Sequence, residues 1–120
     1  METMTLERLA DAQEIKIGFV RPDGSHGSTP VWVVLADDQV FVRSELGPRG
    51  GWYRRLRANP DGDVTDQSQT YPVRAEPVAD AATVQAVTRA YATKYAGNPY
   101  LPRLLSEQAA SATLRLAPRD

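Results

Sequence analysis

Apolar residues change their spacing several times along the chain, and each change marks an element. Leu6, Leu9, Ala10 and Gln13 follow Thr5 at helical spacing, so Thr5 is an N-cap candidate for a short helix over about Thr5 to Ala12. From Ile15 the period becomes two: Ile15, Ile17 and Phe19 alternate with Lys16 and Gly18, the pattern of a strand with one buried face. Arg21 to Ser28 holds Pro22-Asp23-Gly24 and Gly27, which predicts a turn between antiparallel strands. Thr29 to Ala36 is almost continuously apolar and β-branched, so both of its faces are expected to be covered and its place to be central in a sheet. Asp37-Asp38-Gln39 then turns the chain into a strand over Val40 to Ser44.

Phe41 to Pro60 reads as a strand end, a glycine-rich turn and a helix that starts near Trp52 and must stop before Pro60. Asn59-Pro60-Asp61-Gly62 is a further turn, followed by strands near Asp63 to Asp66 and over Thr70 to Val78; Pro72 and Pro77 predict that the latter is an edge or bent strand. Asp80 caps a second helix, in which Val84, Val87, Ala90 or Tyr91, and Tyr95 form one stripe and Gly97-Asn98-Pro99 ends it. Tyr100 to Gln108 is expected to be one more short helix with Leu101, Leu104 and Leu105 inward, and Ala112 to Leu116 a final strand. Tyr91, Tyr95 and Tyr100 fall at spacings that suit core packing. The expected class is α+β, mainly β: five to seven mostly antiparallel strands with three or four short helices, in a small closed or split β-barrel.

A length of 120 residues makes one domain with little room for a deep pocket, so a ligand of cofactor size is expected to draw on a second subunit. The chain has no cysteine, which excludes disulfides and thiolate metal sites, and its single histidine argues against a metal centre. Met1 to Ala12 has no apolar run long enough for a signal peptide or a membrane span, so a cytoplasmic protein is expected. Net charge is −1, but Arg43, Arg49, Arg54, Arg55 and Arg57 face a single acid, Glu45, within one short stretch. So local an excess favours a compact anion over nucleic acid, which needs a basic face extended across the domain.

The glycine-rich turn is where that charge acquires chemistry. Amides freed by Gly47, Gly50 and Gly51, with Arg43, Arg49 and the first turn of the following helix, make a site for an anion. Turning Leu56 to the core brings Trp52, Tyr53 and Asn59 near the same side, sets Arg54 nearly opposite, and leaves Arg55 flanking Trp52. Trp52 is either a core anchor or a ligand contact. Arg43, among apolar neighbours, needs a partner, either a carboxylate such as Glu45 or a phosphate. His26 is either an exposed turn residue or a proton donor to a substrate at a groove mouth. No Ser-His-Asp spacing and no paired carboxylates suggest another chemistry.

The succession Thr29-Pro30-Val31-Trp32-Val33-Val34, Asp37-Asp38, Val42-Arg43-Ser44, a glycine-rich loop, Trp52-Tyr53-Arg54-Arg55-Leu56-Arg57-Ala58-Asn59-Pro60 and Tyr71-Pro72-Val73-Arg74-Ala75 resembles the flavin and deazaflavin oxidoreductases of the split β-barrel, pyridoxamine-phosphate-oxidase-like class. Within that class the chain is most similar to a small bacterial group of unassigned function. The resemblance covers roughly Ser28 to Asp80. It implies a homodimer with a shallow interface groove for FMN or the deazaflavin coenzyme (F-420), the phosphate lying on the loop before the helix. By position, Arg43, Ser44, Arg49, Gly50, Gly51 and Trp52 would hold the phosphate and ribityl chain, and Thr29, Pro30, Val31 and Trp32 would lie along the ring system. Larger relatives often carry Ser or Lys in the loop and Asn after Trp-Tyr-Arg; Arg49 and Arg55 stand near those places here. Relatives that reduce nitro compounds or unsaturated ketones often bring a tyrosine from an N-terminal helix, and Met1 to Gln13 has none.

Three functions are compatible with these residues. The first is a redox enzyme whose bound cofactor carries the hydride to a small organic substrate, without a catalytic side chain that the sequence need reveal. The second is a non-redox small-molecule-binding or carrier protein, or a cofactor-free enzyme, that uses the same groove for another small molecule, Arg49 and Arg55 binding its carboxylate. The third is an interaction module whose arginine-rich helix meets an acidic partner. Between the two cofactors, the excess of arginine over lysine hints at a GC-rich genome and so leans towards the deazaflavin.

Overall fold

A computed structural model describes residues 8–119, so the first three residues of the helix expected over Thr5 to Ala12 lie outside the described residues; of the rest, Arg8 and Leu9 are helical and the chain turns from Ala10 on. The strands are β1 (Ile15–Val20), β2 (His26–Val31), β3 (Val33–Ala36), β4 (Gln39–Arg43), β5 (Asp61–Asp66), β6 (Gln69–Pro77) and β7 (Thr113–Pro118). The helices are α1 (Gly51–Ala58), α2 (Ala81–Lys94), α3 (Leu101–Leu105) and α4 (Glu107–Ala110), with a 3-10 turn over Gly47–Arg49. Every pairing is antiparallel, in the order β2-β1-β5-β6-β7-β4-β3. The two ends of that order, β2 and β3, are consecutive in the chain and separated only by Trp32. The sheet therefore curls until its ends meet, and it is a barrel split at Trp32.

Thr29 to Ala36 is thus not a central strand; it supplies both outermost strands. Its apolarity has a different cause. Val31 and Val33 point into the barrel, while Val34 points outward into a second layer with Phe41, Val87, Tyr91, Tyr95 and Leu104. Strand β4 is covered on both faces in the same way, Val40 and Val42 inward and Phe41 under α2. Helix α1 closes the barrel with Tyr53 and Leu56, both buried against its interior.

The backbone groups released at the Trp32 bend are met by α2. Tyr91 Oη donates to the Trp32 carbonyl at 2.8 Å, and the Val33 N–H donates to Tyr95 Oη at 3.2 Å. Lys94 Nζ donates to the carbonyls of Ala12 and Val33 at 2.7 and 2.6 Å, and Tyr95 Oη donates to that of Gln13 at 2.8 Å. Burial pushes the Tyr95 phenol up to about 12, so it remains a donor through the ordinary pH range. Tyr95→Phe should cost about 1–3 kcal/mol, because it strands the Val33 N–H at a buried edge. A urea midpoint that falls at unchanged slope checks this.

Pro72 and Pro77 do not mark an edge, since β6 lies between β5 and β7. The Pro72 carbonyl accepts from Arg119 N and the Val78 N–H donates to the Thr113 carbonyl, so even-numbered residues of β6 face β7; the Ala75 N–H donates to the Pro60 carbonyl, so odd-numbered ones face β5. Pro72 therefore meets β7 where that strand ends at Pro118, and Pro77 projects past the start of β5. Neither ring removes a ladder bond. Three smaller expectations also change. His26 is the first residue of β2, paired with Val20, because the turn closes earlier with Arg21 N–H donating to the Ser25 carbonyl at 2.8 Å. Tyr100 to Gln108 is two helices, broken at Ser106, whose hydroxyl accepts from the Ala109 N–H and caps α4. Tyr91 and Tyr95 are buried as expected, but Tyr100 is 58% exposed.

Candidate functional site

After β4 the chain makes the turn that the glycines foretold, and two of them are required by what lies beside them. Gly47 has φ +67°, and a Cβ there would also stand 2.8 Å from the Gln108 carbonyl oxygen. A Cβ on Gly50 would fall 2.1 Å from Ser44 Oγ. Gly50 is thereby held as the N-cap of α1, where it offers no side chain to the helix, and no acidic residue occupies the first turn. The amides of Gly51, Trp52 and Tyr53 have no partner within the helix. Gly51 is exposed, and a Cβ added to it would touch nothing within 4 Å. Arg49 and Arg55 flank this helix end with no acidic partner among the described residues. The result is an electropositive, open helix N-terminus.

Beside it lies a cleft of about 290 Å³. One wall is the Trp32 bend, with Pro30 and Val31; Trp52 of α1 adds a second aromatic surface. Trp32 is fixed by stacking on Tyr95, centroids 4.1 Å apart and rings 5° from parallel. The other wall is α3 with Tyr100, Arg103 and Leu104, and Glu14 and Glu45 complete the lining. Arg103 Nη1 stands 3.7 Å from Glu45 Oε2, and its guanidinium lies 5.1 Å from the centre of the Tyr100 ring.

Arg43 also lines the cleft but is only 3% exposed, and its partner is neither Glu45 nor a free site for phosphate. Nε donates to Thr113 Oγ1 at 2.9 Å, Nη1 to the Leu104 carbonyl at 3.0 Å, and Nη2 to the Val84 carbonyl and Thr88 Oγ1, both at 2.8 Å. The guanidinium also lies over the Tyr91 ring. Arg43 thus ties β4 to β7, α2 and α3 and sets the width of the cleft. Burial among neutral acceptors pulls its pKa below the usual arginine range.

Of the residues singled out in the sequence, the cleft unites Pro30, Val31, Trp32, Arg43 and Trp52. Arg49, Gly50, Gly51 and Arg55 belong to the loop and helix next to Trp52, outside the lining. Thr29 is half-buried in β2, and Ser44 is buried beneath Gly50. His26 is at the far end of β2, about 16 Å from Val31 along an extended strand. There it is exposed, with Nε2 2.8 Å from Asp63 Oδ2, and the structure does not bring it to the cleft. Sequence reasoning missed Glu14, Tyr100 and Arg103. For Tyr100 and Arg103 a signal existed: they stand three apart, the spacing of a second helical face beside the Leu101–Leu104 pair.

A family model described as "Uncharacterized protein conserved in bacteria (DUF2255)" matches residues 5–116. No curated protein matches the sequence significantly. Among solved structures, the conserved hypothetical protein Rv2991 from Mycobacterium tuberculosis superposes with a TM-score of 0.76 at 14% identity, covering 100% of this chain and 81% of that one. The haem storage protein HutZ from Vibrio cholerae gives 0.66 at 16% identity, covering 99% and 89%. An F420-H2-dependent reductase (FDR-A) gives 0.63 at 14% identity, covering 87% and 93%. Identities this low carry the fold and not the chemistry. No helix among the described residues is long and apolar enough to cross a membrane.

Proposed function

The chain belongs to the DUF2255 family of uncharacterized bacterial proteins, on the split-barrel fold of the pyridoxamine-phosphate-oxidase-like class, and on that footing we propose that it is a flavin- or deazaflavin-dependent oxidoreductase acting on a small organic substrate. The observation that carries this reading is the uncapped N-terminus of α1 beside a cleft lined by two tryptophans. The residues present suit a long, flat, anionic cofactor. The amides of Gly51 and Trp52, with Arg49 and Arg55, receive a phosphate; Pro30, Val31 and Trp32 offer a flat apolar edge to a ring system. Cofactor pockets usually measure about 300–1,000 Å³. One chain's 290 Å³ is at the bottom of that range, so the groove is completed by a second copy.

When bound, the cofactor supplies the hydride chemistry. The chain's part is to hold the phosphate at α1, keep the ring against the Trp32 bend, and exclude water with Trp52 and Leu104. The resemblance to a haem storage protein supports a second reading, a non-redox binding protein using the same cleft. Fluorescence titration of the purified protein with the deazaflavin coenzyme, FMN and haem in parallel separates the two. Micromolar binding of one flavin-type cofactor, one per chain, is expected. Binding of haem alone would select the second reading, and binding of neither flavin-type cofactor by the folded protein would refute the first.

A further inference from the structure

The α3 wall of the cleft carries side chains that the cofactor reading leaves unused. Tyr91 and Tyr95 are 0% and 1% exposed, whereas Tyr100 holds its ring in water at 58%. Arg103 lies beside that ring, its side chain 63% exposed, and its acidic partner Glu45 is 50% exposed at 3.7 Å. A pair this open and this long contributes little, so either group can leave it. Arg43, at the inner side of the same cleft, brings a positive charge that no carboxylate among the described residues offsets.

We infer that the Tyr100–Arg103 wall recognises a planar compound carrying a carboxylate. The ring of such a compound stacks on Tyr100. Its carboxylate takes the planar fork of Arg103, which matches two carboxylate oxygens at once, and displaces Glu45 into water. Glu45 is then a competitor held on Arg103 until the ligand arrives, and Glu14 is the other acid in the lining. That this ligand is a substrate rests on the oxidoreductase reading; that it binds does not.

The test uses the full chain without cofactor. Trp32 and Trp52 are the only tryptophans, and both line the cleft, so their two indole N–H signals in an amide proton–nitrogen spectrum report occupancy locally. Trans-cinnamate is titrated against cinnamamide, its uncharged analogue. Cinnamate is expected to bind at least about tenfold more tightly, which is one charge-assisted contact. Arg103→Gln should abolish that preference, and Glu45→Gln should tighten cinnamate several-fold while leaving cinnamamide unchanged. Both positions are exposed, so the variants fold. Equal binding of the two compounds, no movement of either indole signal, or weaker cinnamate binding in Glu45→Gln would overturn the inference. A failed cofactor titration with a positive result here would leave the carboxylate site standing alone.

Discussion

Replacing Arg43 by alanine should lower the stability of the fold by about 2–4 kcal/mol, a large part of the roughly 5–15 kcal/mol that holds a typical domain. The loss has two sources. The Leu104 carbonyl is left without its buried donor and the Val84 carbonyl loses one of its two side-chain donors, while a cavity opens between β4, β7, α2 and α3. Arg43→Met separates them, since it refills most of the volume but restores no bond, and it should recover part of the loss only. Arg43→Lys should not rescue, because one ammonium with three hydrogens cannot span four acceptors arranged for a planar fork. Urea midpoints at unchanged slope read all three. A near-zero effect of Arg43→Ala would mean that the four bonds contribute nothing net.

The largest effect on binding is expected at Arg49. It is exposed and has no acidic partner among the described residues, so its removal should leave stability within about 0.5 kcal/mol. A charge-assisted contact to a phosphate is worth about 1.5–3 kcal/mol, so Arg49→Ala should weaken the cofactor at least tenfold. Arg54, exposed on the far face of α1, is the control and should change Kd by less than about twofold. Raising the salt should shrink the difference, as screening of an exposed contact requires. Equal losses in the two variants would contradict the assignment of the phosphate to the loop side of α1.

Much of the fold was legible because alternation and turn chemistry agree locally. The Asp37-Asp38 hairpin, for example, has φ of 51° and 62°, the positive values that a two-residue turn between right-twisted strands needs. Asp80 was equally readable, its carboxylate accepting from the Thr83 N–H at 2.8 Å. What failed was inference from a local pattern to a global place. Continuous apolarity at Thr29 to Ala36 means two covered faces, but a barrel interior and a helix cover β3 at the sheet's end as well as neighbouring layers would at its centre. Prolines argue for an edge only if both neighbours run the full length of the strand, and strand lengths are not visible in a one-dimensional pattern.

The site divides in the same way. The turn from Gly47 to Trp52 was readable because glycine, arginine and a helix start are local signals. Arg43 was read as needing a partner, and it does, but its acceptors come from residues 41 to 70 positions later in the chain. The spacing of Tyr100 and Arg103 shows that they share a helical face, but that this face lines the cleft is a tertiary outcome that spacing alone does not foretell.

The central claim, that the N-terminus of α1 holds the phosphate of a flavin-type cofactor, is tested most directly by following the backbone amide signals during titration with FMN and with the deazaflavin coenzyme. The account expects the largest shifts at Gly50, Gly51, Trp52 and Tyr53, saturating together with the Trp32 and Trp52 indole signals, and lost in Arg49→Ala. Saturable binding whose shifts centre elsewhere, such as on His26 and the outer face of β5, with the α1 amides unmoved, would contradict it.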